Sequence, residues 1–380
     1  MIELPDASAN YITIQVVVKT PPGGPFDRAV NHLLADTLLD DSERYSKREL
    51  LDLLSAGTRL RCDWTPDEIR IQMGVEPSDL AAAMDAIKQI FTHATFPAED
   101  LQAIKDDAPF RHPGFWDLGL YPERDDTKYV DRRDVLDAYH RLFIPSNVWI
   151  GFGGDFAAGK AVAAWNTDPN PWPIVKTSTW YPDKTAGQDV RSDSTGVTTL
   201  RLDSPSFPAN DAAFPTKLLA LYALGVGKGA TEFQVLREQM RWSYRQEVML
   251  MPTASGFEMS AMMAMNAGDK TAPSAEQMRD ALLKGVAAWT QADLDRAVAM
   301  AQVDFTRGLD GSPLYLCGDW PIGQSLEDRT FLAAYWLMKT GSPFDSDALL
   351  AGMRASRLEE VRDQATAFLK DAKATTILGG

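Results

Sequence analysis

The sequence predicts an α+β fold made of two similar halves, with helices packed on mainly antiparallel sheets. Three observations carry this expectation. Short β-branched or alternating runs intermix with stretches of helical period, without the strict strand-helix alternation of a parallel sheet. The order of these elements returns in the second half of the chain, as a diverged internal repeat of about 190 residues. The length of 380 residues is about two to three times that of an ordinary domain, which leaves room for two cores.

Composition narrows the function classes. With 45% hydrophobic and 24% charged residues the chain has an ordinary globular composition. A formal net charge of -15 and a pI near 4.8 argue against nucleic acid and anionic membranes, because neither phosphate nor lipid headgroup is attracted; a cationic peptide is. No run approaches the roughly 20 apolar residues of a membrane span, and the N-terminus lacks a basic segment followed by an apolar one. The expectation is a cytoplasmic chain, or a periplasmic or organellar one if a leader has been removed. Cys62 and Cys317 lie far apart and outside any C-x-x-C pair, so they read as buried thiols rather than metal ligands or a disulfide.

Taken in order, Tyr11 to Lys19 is a β-branched strand closed by the turn residues of 20–24, and Val30, Leu33, Leu34 and Leu38 form a helical stripe. Ser46 to Leu54 is a second helix opened by a Ser-x-x-Glu capping box at Ser46 and Glu49. Glu68 to Val75 alternates as a half-buried strand. Asp79 to Phe91 is a helix with Leu80, Met84, Ile87 and Phe91 on its core face. Residues 96–101 enter a further helix, Val130 to Phe143 is amphipathic, and 147–155 is a buried strand ending in Gly153, Gly154 and Asp155. Pro169, Pro171, Pro173 and Pro182 mark 166–188 as a linker.

The second half repeats the pattern. Strands are expected at 195–202, 246–251, 256–265 and 374–380, and helices at 215–240 as a pair, 275–289, 294–307 and 358–369. The methionines at 259, 262, 263 and 265 read as gap-filling core rather than ligands to a metal.

The stretch from Leu221 to Tyr244 draws the most attention. Gly225, Gly227 and Gly229 form a hinge where φ > 0 costs little. Phe233, Leu236 and Met240 follow at helical spacing, and Arg237 precedes Tyr244 by seven residues, about two turns and so one helix face. The glycines imitate a dinucleotide loop, but a helical pattern rather than a strand precedes them. A phosphate-binding loop needs Ser or Thr directly after Gly-Lys, and Lys228 is followed by Gly229. Taken alone, Arg237 and Tyr244 are a surface cation and a packed aromatic.

The hinge, the Gln-Val-Leu-Arg-Glu run at 234–238 and the Arg-to-Tyr spacing resemble the C-terminal half of pitrilysin/insulinase-type zinc metallopeptidases. The helix around Asp134 to Tyr139, with its trailing strand and Gly-Gly-Asp, is similar to the end of each repeat in that family. The resemblance implies two similar metallopeptidase-like α/β sandwich domains, at 1–170 and 185–380. It also implies that Arg237 and Tyr244 hold the substrate and its tetrahedral intermediate.

The same resemblance places a His-x-x-Glu-His zinc motif on the first-half helix. There two histidines bind metal and the glutamate is the general base on a zinc-bound water. This chain reads His32, Leu33, Leu34, Ala35 and Asp36 at the aligned positions. Ala35 cannot take a proton, and loss of a positioned base costs about 10²- to 10⁴-fold in rate. Asp36 could give one oxygen to a metal, but Asp106 and Asp107 sit in the wrong register to complete a shell. The plainer reading is an i, i+4 contact between His32 and Asp36. His93, His112 and His140 share no ligand spacing and read as surface or capping residues. No zinc and no other cofactor is expected.

Three readings of function follow. One is a non-catalytic subunit that pairs with a zinc-bearing homologue, or with itself, and supplies peptide-binding surface. Another is a structural scaffold, like the core subunits of respiratory cytochrome bc complexes. The last is a peptidase with an atypical metal site.

Overall fold

The computed structural model describes residues 1–20, 25–53, 60–65, 67–107, 127–166, 190–193, 197–243, 245–253, 256–266, 273–307 and 325–379. The described chain is α+β, with two five-stranded sheets. It divides into two compact units, Met1–Asp183 with Ser325–Phe344, and Lys184–Gln324 with Asp345–Gly380.

In the first unit the elements are β1 (Ile2–Pro5), β2 (Ile12–Lys19), α1 (Pro25–Thr37), α2 (Lys47–Leu53), β3 (Arg61–Thr65), β4 (Glu68–Val75), α3 (Leu80–His93), α4 (Ala98–Asp107), α5 (Arg132–Leu142), β5 (Val148–Gly154) and α6 (Lys160–Asn166). The sheet order is β1-β5-β2-β4-β3. Among the described residues only the β1–β5 pair of this sheet is parallel. Strand alternation sorts the side chains. Ile12, Ile14, Val16 and Val18 of β2 and Ile69, Ile71, Met73 and Val75 of β4 join one core with Leu33 and Leu34 of α1 and Ile87 and Ile90 of α3. The helix starts are satisfied locally. Asp131 accepts from the Arg133 and Asp134 amides, and Asp134 returns the bond to the Asp131 amide. The box expected at Ser46 and Glu49 is also present.

The second unit holds β6 (Val190–Asp193), β7 (Val197–Asp203), α7 (Phe214–Gly225), α8 (Phe233–Gln239), β8 (Arg245–Thr253), β9 (Gly256–Asn266), α9 (Ala275–Ala287), α10 (Gln291–Arg307), α12 (Ser346–Ala355), α13 (Leu358–Asp371) and β10 (Lys373–Gly379). Its sheet order, β6-β10-β7-β9-β8, repeats the first element for element, including the single parallel edge pair. Met259, Met262, Met263 and Met265 are all buried in β9, which fits their reading as core.

One segment departs from the halves drawn on the sequence. Helix α11 (Leu326–Thr340) falls in the 185–380 half, but it packs on β2 and β5 of the first unit. It lies over glycine: a Cβ on Gly151 would meet the Thr330 carbonyl at 2.8 Å, and one on Gly153 would strike the Thr330 hydroxyl. Polar groups hold it as well. Arg70 lies over the Phe331 ring at 3.9 Å. Asp67, at the start of β4, meets Lys339 and Tyr335. The proline-rich segment 167–189 lies outside the described residues, as do Cys317 and His112. Among the described residues no helix is long and apolar enough to cross a membrane.

Candidate functional site

Two places were marked by the sequence, one in each unit. In the first, α1 packs against β3, α4 and α5. His32 Nε2 lies 3.6 Å from Asp36 Oδ2, with the side chains 13% and 14% exposed. The His32 ring stands edge-on to Trp64, centroids 6.2 Å apart. Ala35 is buried within the apolar core, so it turns inward among aliphatic side chains. Across from Asp36, burial raises the Asp63 carboxyl pKa, with the Asp36 charge adding to the effect. Burial likewise pushes up the half-buried Cys62 thiol. Asp106 is exposed and accepts from Gln102 of its own helix at 2.9 Å. Among the described residues no three His, Cys, Asp or Glu side chains are grouped to hold a metal ion. His93 lies beside the Thr92 hydroxyl and 4.0 Å from Glu43, and His140 is exposed next to the Tyr139 ring.

The second place is the hinge. Helix α7 is buried nearly all round, from Leu218 to Leu224, and it stops where Gly225 lets the chain pass β8. A Cβ there would meet Val248 Cβ at 2.5 Å. Gly227 takes φ 81°, the left-handed region that favours glycine. Arg296 of α10 caps the end of α7, its Nη1 donating to Val226 O at 2.8 Å and Nη2 to Ala223 O at 3.1 Å. Beyond the hinge, Thr231 accepts a 2.6 Å bond from the Trp289 indole and sits against Gly285 of α9.

Helix α8 is a π-helix rather than an α-helix. Its closing bond runs from the Met240 amide to Val235 O at 2.9 Å, five residues back, and the Trp242 amide reaches Leu236 O at 2.9 Å. Arg241 then adopts φ 56°. Single π-turns inside helices occur frequently at functional sites. The expected geometry of Arg237 and Tyr244 needs correction here. The helix ends at Gln239 and residues 241–243 are not helical, so seven residues do not make two turns of one face. Tyr244 itself lies outside the described residues. Met240, set at helical spacing with Phe233 and Leu236 by the sequence, is 43% exposed while Leu236 is buried. Arg237 reaches the surface with its side chain 38% exposed, its guanidinium 4.9 Å from the Phe233 ring centroid and 3.8 Å from Glu238.

Sequence reasoning missed a pair of acids beside this helix. Glu232 is 1% exposed, its carboxyl set beside the Glu247 backbone amide. Burial pushes its carboxyl well above the usual range, with the nearby Glu247 adding to the shift. Burial pushes Glu247 up to about 8, with Arg245 pulling the other way. Fifteen residues separate the two in the chain, so no spacing signal announces them.

No protein-family model matches the chain, and no curated protein matches it. Solved structures do. A protease from Helicobacter pylori superposes with TM-score 0.76 at 15% identity, covering 100% of this chain and 96% of that one. A peptidase M16 inactive domain from Pseudomonas fluorescens gives 0.70 at 13%, covering 100% and 95%. A conserved protein from Enterococcus faecalis gives 0.69 at 12%, covering 100% and 96%. The fold is peptidase M16-like. That agrees with the fold implied by the resemblance to pitrilysin/insulinase-type enzymes, and at these identities it speaks for the fold alone.

Proposed function

We propose that this chain is a non-catalytic, peptidase-like subunit that pairs with a zinc-bearing homologue, or with a second copy of itself, and contributes peptide binding through Arg237 and Tyr244. The observation that carries the reading is the contrast between the two marked helices. On α1, the position where the resemblance expects a general base is Ala35, buried in the core, and His32 contacts Asp36 rather than a second imidazole. A carboxylate at position 35 would enter an apolar core. On α8, by contrast, Arg237 keeps an outward guanidinium, which offers fixed donors to a peptide carbonyl or carboxylate. The Pseudomonas fluorescens neighbour is itself described as an inactive domain, so a protein of this fold without catalysis has precedent.

The experiment is peptide hydrolysis by the chain reconstituted with a zinc-bearing homologue. Arg237→Ala and Tyr244→Phe are expected to leave assembly intact and to lower turnover by about 10²-fold, the loss typical of removing a transition-state donor. Unchanged rates in both variants would favour a scaffold role. Chelator-sensitive hydrolysis by the chain alone would favour an atypical metal site.

A further inference from the structure

The start of α8 carries an acid in an unusual place. A carboxylate at the positive end of a helix ordinarily caps it or answers its dipole. Glu232 makes no side-chain capping bond. Its carboxyl is buried instead, beside the Glu247 amide of β8. The Glu247 carboxyl is itself half-buried and acts on Glu232. Two acids thus stand where the start of α8 meets β8.

Among the described residues the charges acting on this pair are Glu247 on Glu232 and Arg245 on Glu247. Burial outweighs Arg245 and leaves Glu247 at about 8. Across the ladder Glu247 pairs with Met262 of β9. Beyond Met262, Arg201 of β7 is held by Asp203 and Glu258. From α9, which packs on α8, Arg279 donates to Ala372 O, while Asp280 and Lys284 are exposed. In the hinge Lys228 is exposed and Arg296 caps α7. Both acids therefore keep their protons inside the fold at neutral pH. Released to water, a glutamate ionises near its ordinary value of 4.5.

The connections of α8 allow such a release to stay local. Before it lies the glycine hinge, with Gly227 at φ 81°. Thr231 ties its start to the Trp289 indole, and beyond its end the Ser243 hydroxyl donates to Ala264 O of β9 at 2.6 Å. A short element held by a hinge and side-chain ties is the kind that opens without global unfolding. We propose that Glu232 and Glu247 form a proton-dependent latch, which holds α8 on β8 when protonated and, when ionised, frees α8 and draws Arg237 out of the peptide site. The inference rests on the peptide-binding reading above and adds its regulation.

The test is amide hydrogen exchange on the full chain between pH 5.5 and 7.5, corrected for the intrinsic pH dependence of exchange. Amides of 233–240 are expected to be less protected than those of β7 and β9 at every pH. Their protection should fall by about tenfold or more per pH unit, because each acid that is protonated when closed and ionised when open favours opening by that factor. Glu247→Gln and, separately, Glu232→Gln keep the shape and remove one proton, so each should make the fall shallower. In the pair reconstituted with a zinc-bearing homologue, the turnover of Glu247→Gln relative to wild type should rise toward pH 7.5. Protection of 233–240 that does not change with pH overturns the latch, and this wild-type result needs no variant to fold. A fall of unchanged slope in both Gln variants overturns it as well, as does protection in 233–240 equal to that of β7 and β9 throughout, which marks global unfolding. Failure of the peptide-binding reading shows separately, as unaltered turnover in Arg237→Ala, with the exchange result standing by itself.

Discussion

The Lys339 ammonium lies 2.6 Å from Asp67 Oδ2, with the two side chains 2% and 1% exposed. Tyr335 donates to the same oxygen at 2.7 Å, and Thr65 donates to Oδ1 at 3.0 Å. Lys339 and Tyr335 belong to α11, while Thr65 ends β3 and Asp67 precedes β4. A buried carboxylate is thus met by the Lys339 ammonium and two hydroxyls, with Lys19 close enough to feel its charge, and the match fastens α11 to the first sheet.

Removing one partner should therefore be costly. Lys339→Met removes the cation in contact with the buried Asp67 carboxylate and leaves only the more distant Lys19, and loss of one member of such a pair destabilises by up to about 3–5 kcal/mol. Asp67→Asn combined with Lys339→Met should recover much of that loss. Thermal unfolding reads the size. Amide exchange across 326–340 reads the place, and protection there should fall first.

The acids beside α8 should make stability depend on pH. Glu247 is held up to about 8 in the fold, against an ordinary glutamate value of 4.5 for the unfolded chain. Between those values the unfolded chain has released the proton and the folded chain keeps it. Stability from this group is therefore fully present below 4.5, falls as pH rises, and is gone above about 8. The slope is about 1.4 kcal/mol per pH unit for each such group, and Glu232, also shifted upward, adds with the same sign. Glu247→Gln should flatten the curve and unfold later than wild type at pH 8, with little difference near pH 5. Urea midpoints across this range check the sign.

Metal should be irrelevant to folding. With His32 set against Asp36 and Ala35 in the core, the described residues present no group of three ligands. A chelator is expected to leave the melting temperature where it was, and added zinc to raise it by nothing measurable. One zinc per chain by elemental analysis, lost on chelation together with stability, is the result that contradicts this.

What the sequence made legible follows physical signal strength. β2 and β4 were readable because alternation or β-branching marks each face, and α5 because its amphipathic period runs from Val130 to Phe143. The four-residue edge strands β1 and β6 carry too few residues for a period. Helix α11 was missed for the opposite reason. Phe331 to Trp336 is buried without a break, so it shows no polar stripe to betray a helix. At the candidate sites, the His32–Asp36 contact could be read from i, i+4 spacing. The relation of Arg237 to position 244 could not, because a spacing rule assumes 3.6 residues per turn and α8 widens before Arg241 reverses the chain. Glu232 and Glu247 meet only through tertiary packing.

The loan of α11 to the first unit bears on how this protein is made. Every strand of the first sheet leaves the ribosome well before Ser325 is translated. Until Phe344 has emerged, the face bearing Gly151, Gly153, Arg70 and Asp67 lacks the helix that closes it, so the N-terminal unit cannot mature ahead of the rest as domains commonly do. The nascent chain has to carry an unfinished sheet through about half of its synthesis, from Gly154 of β5 to the end of α11, and a message truncated before Ser325 yields a product that has lost its own last layer.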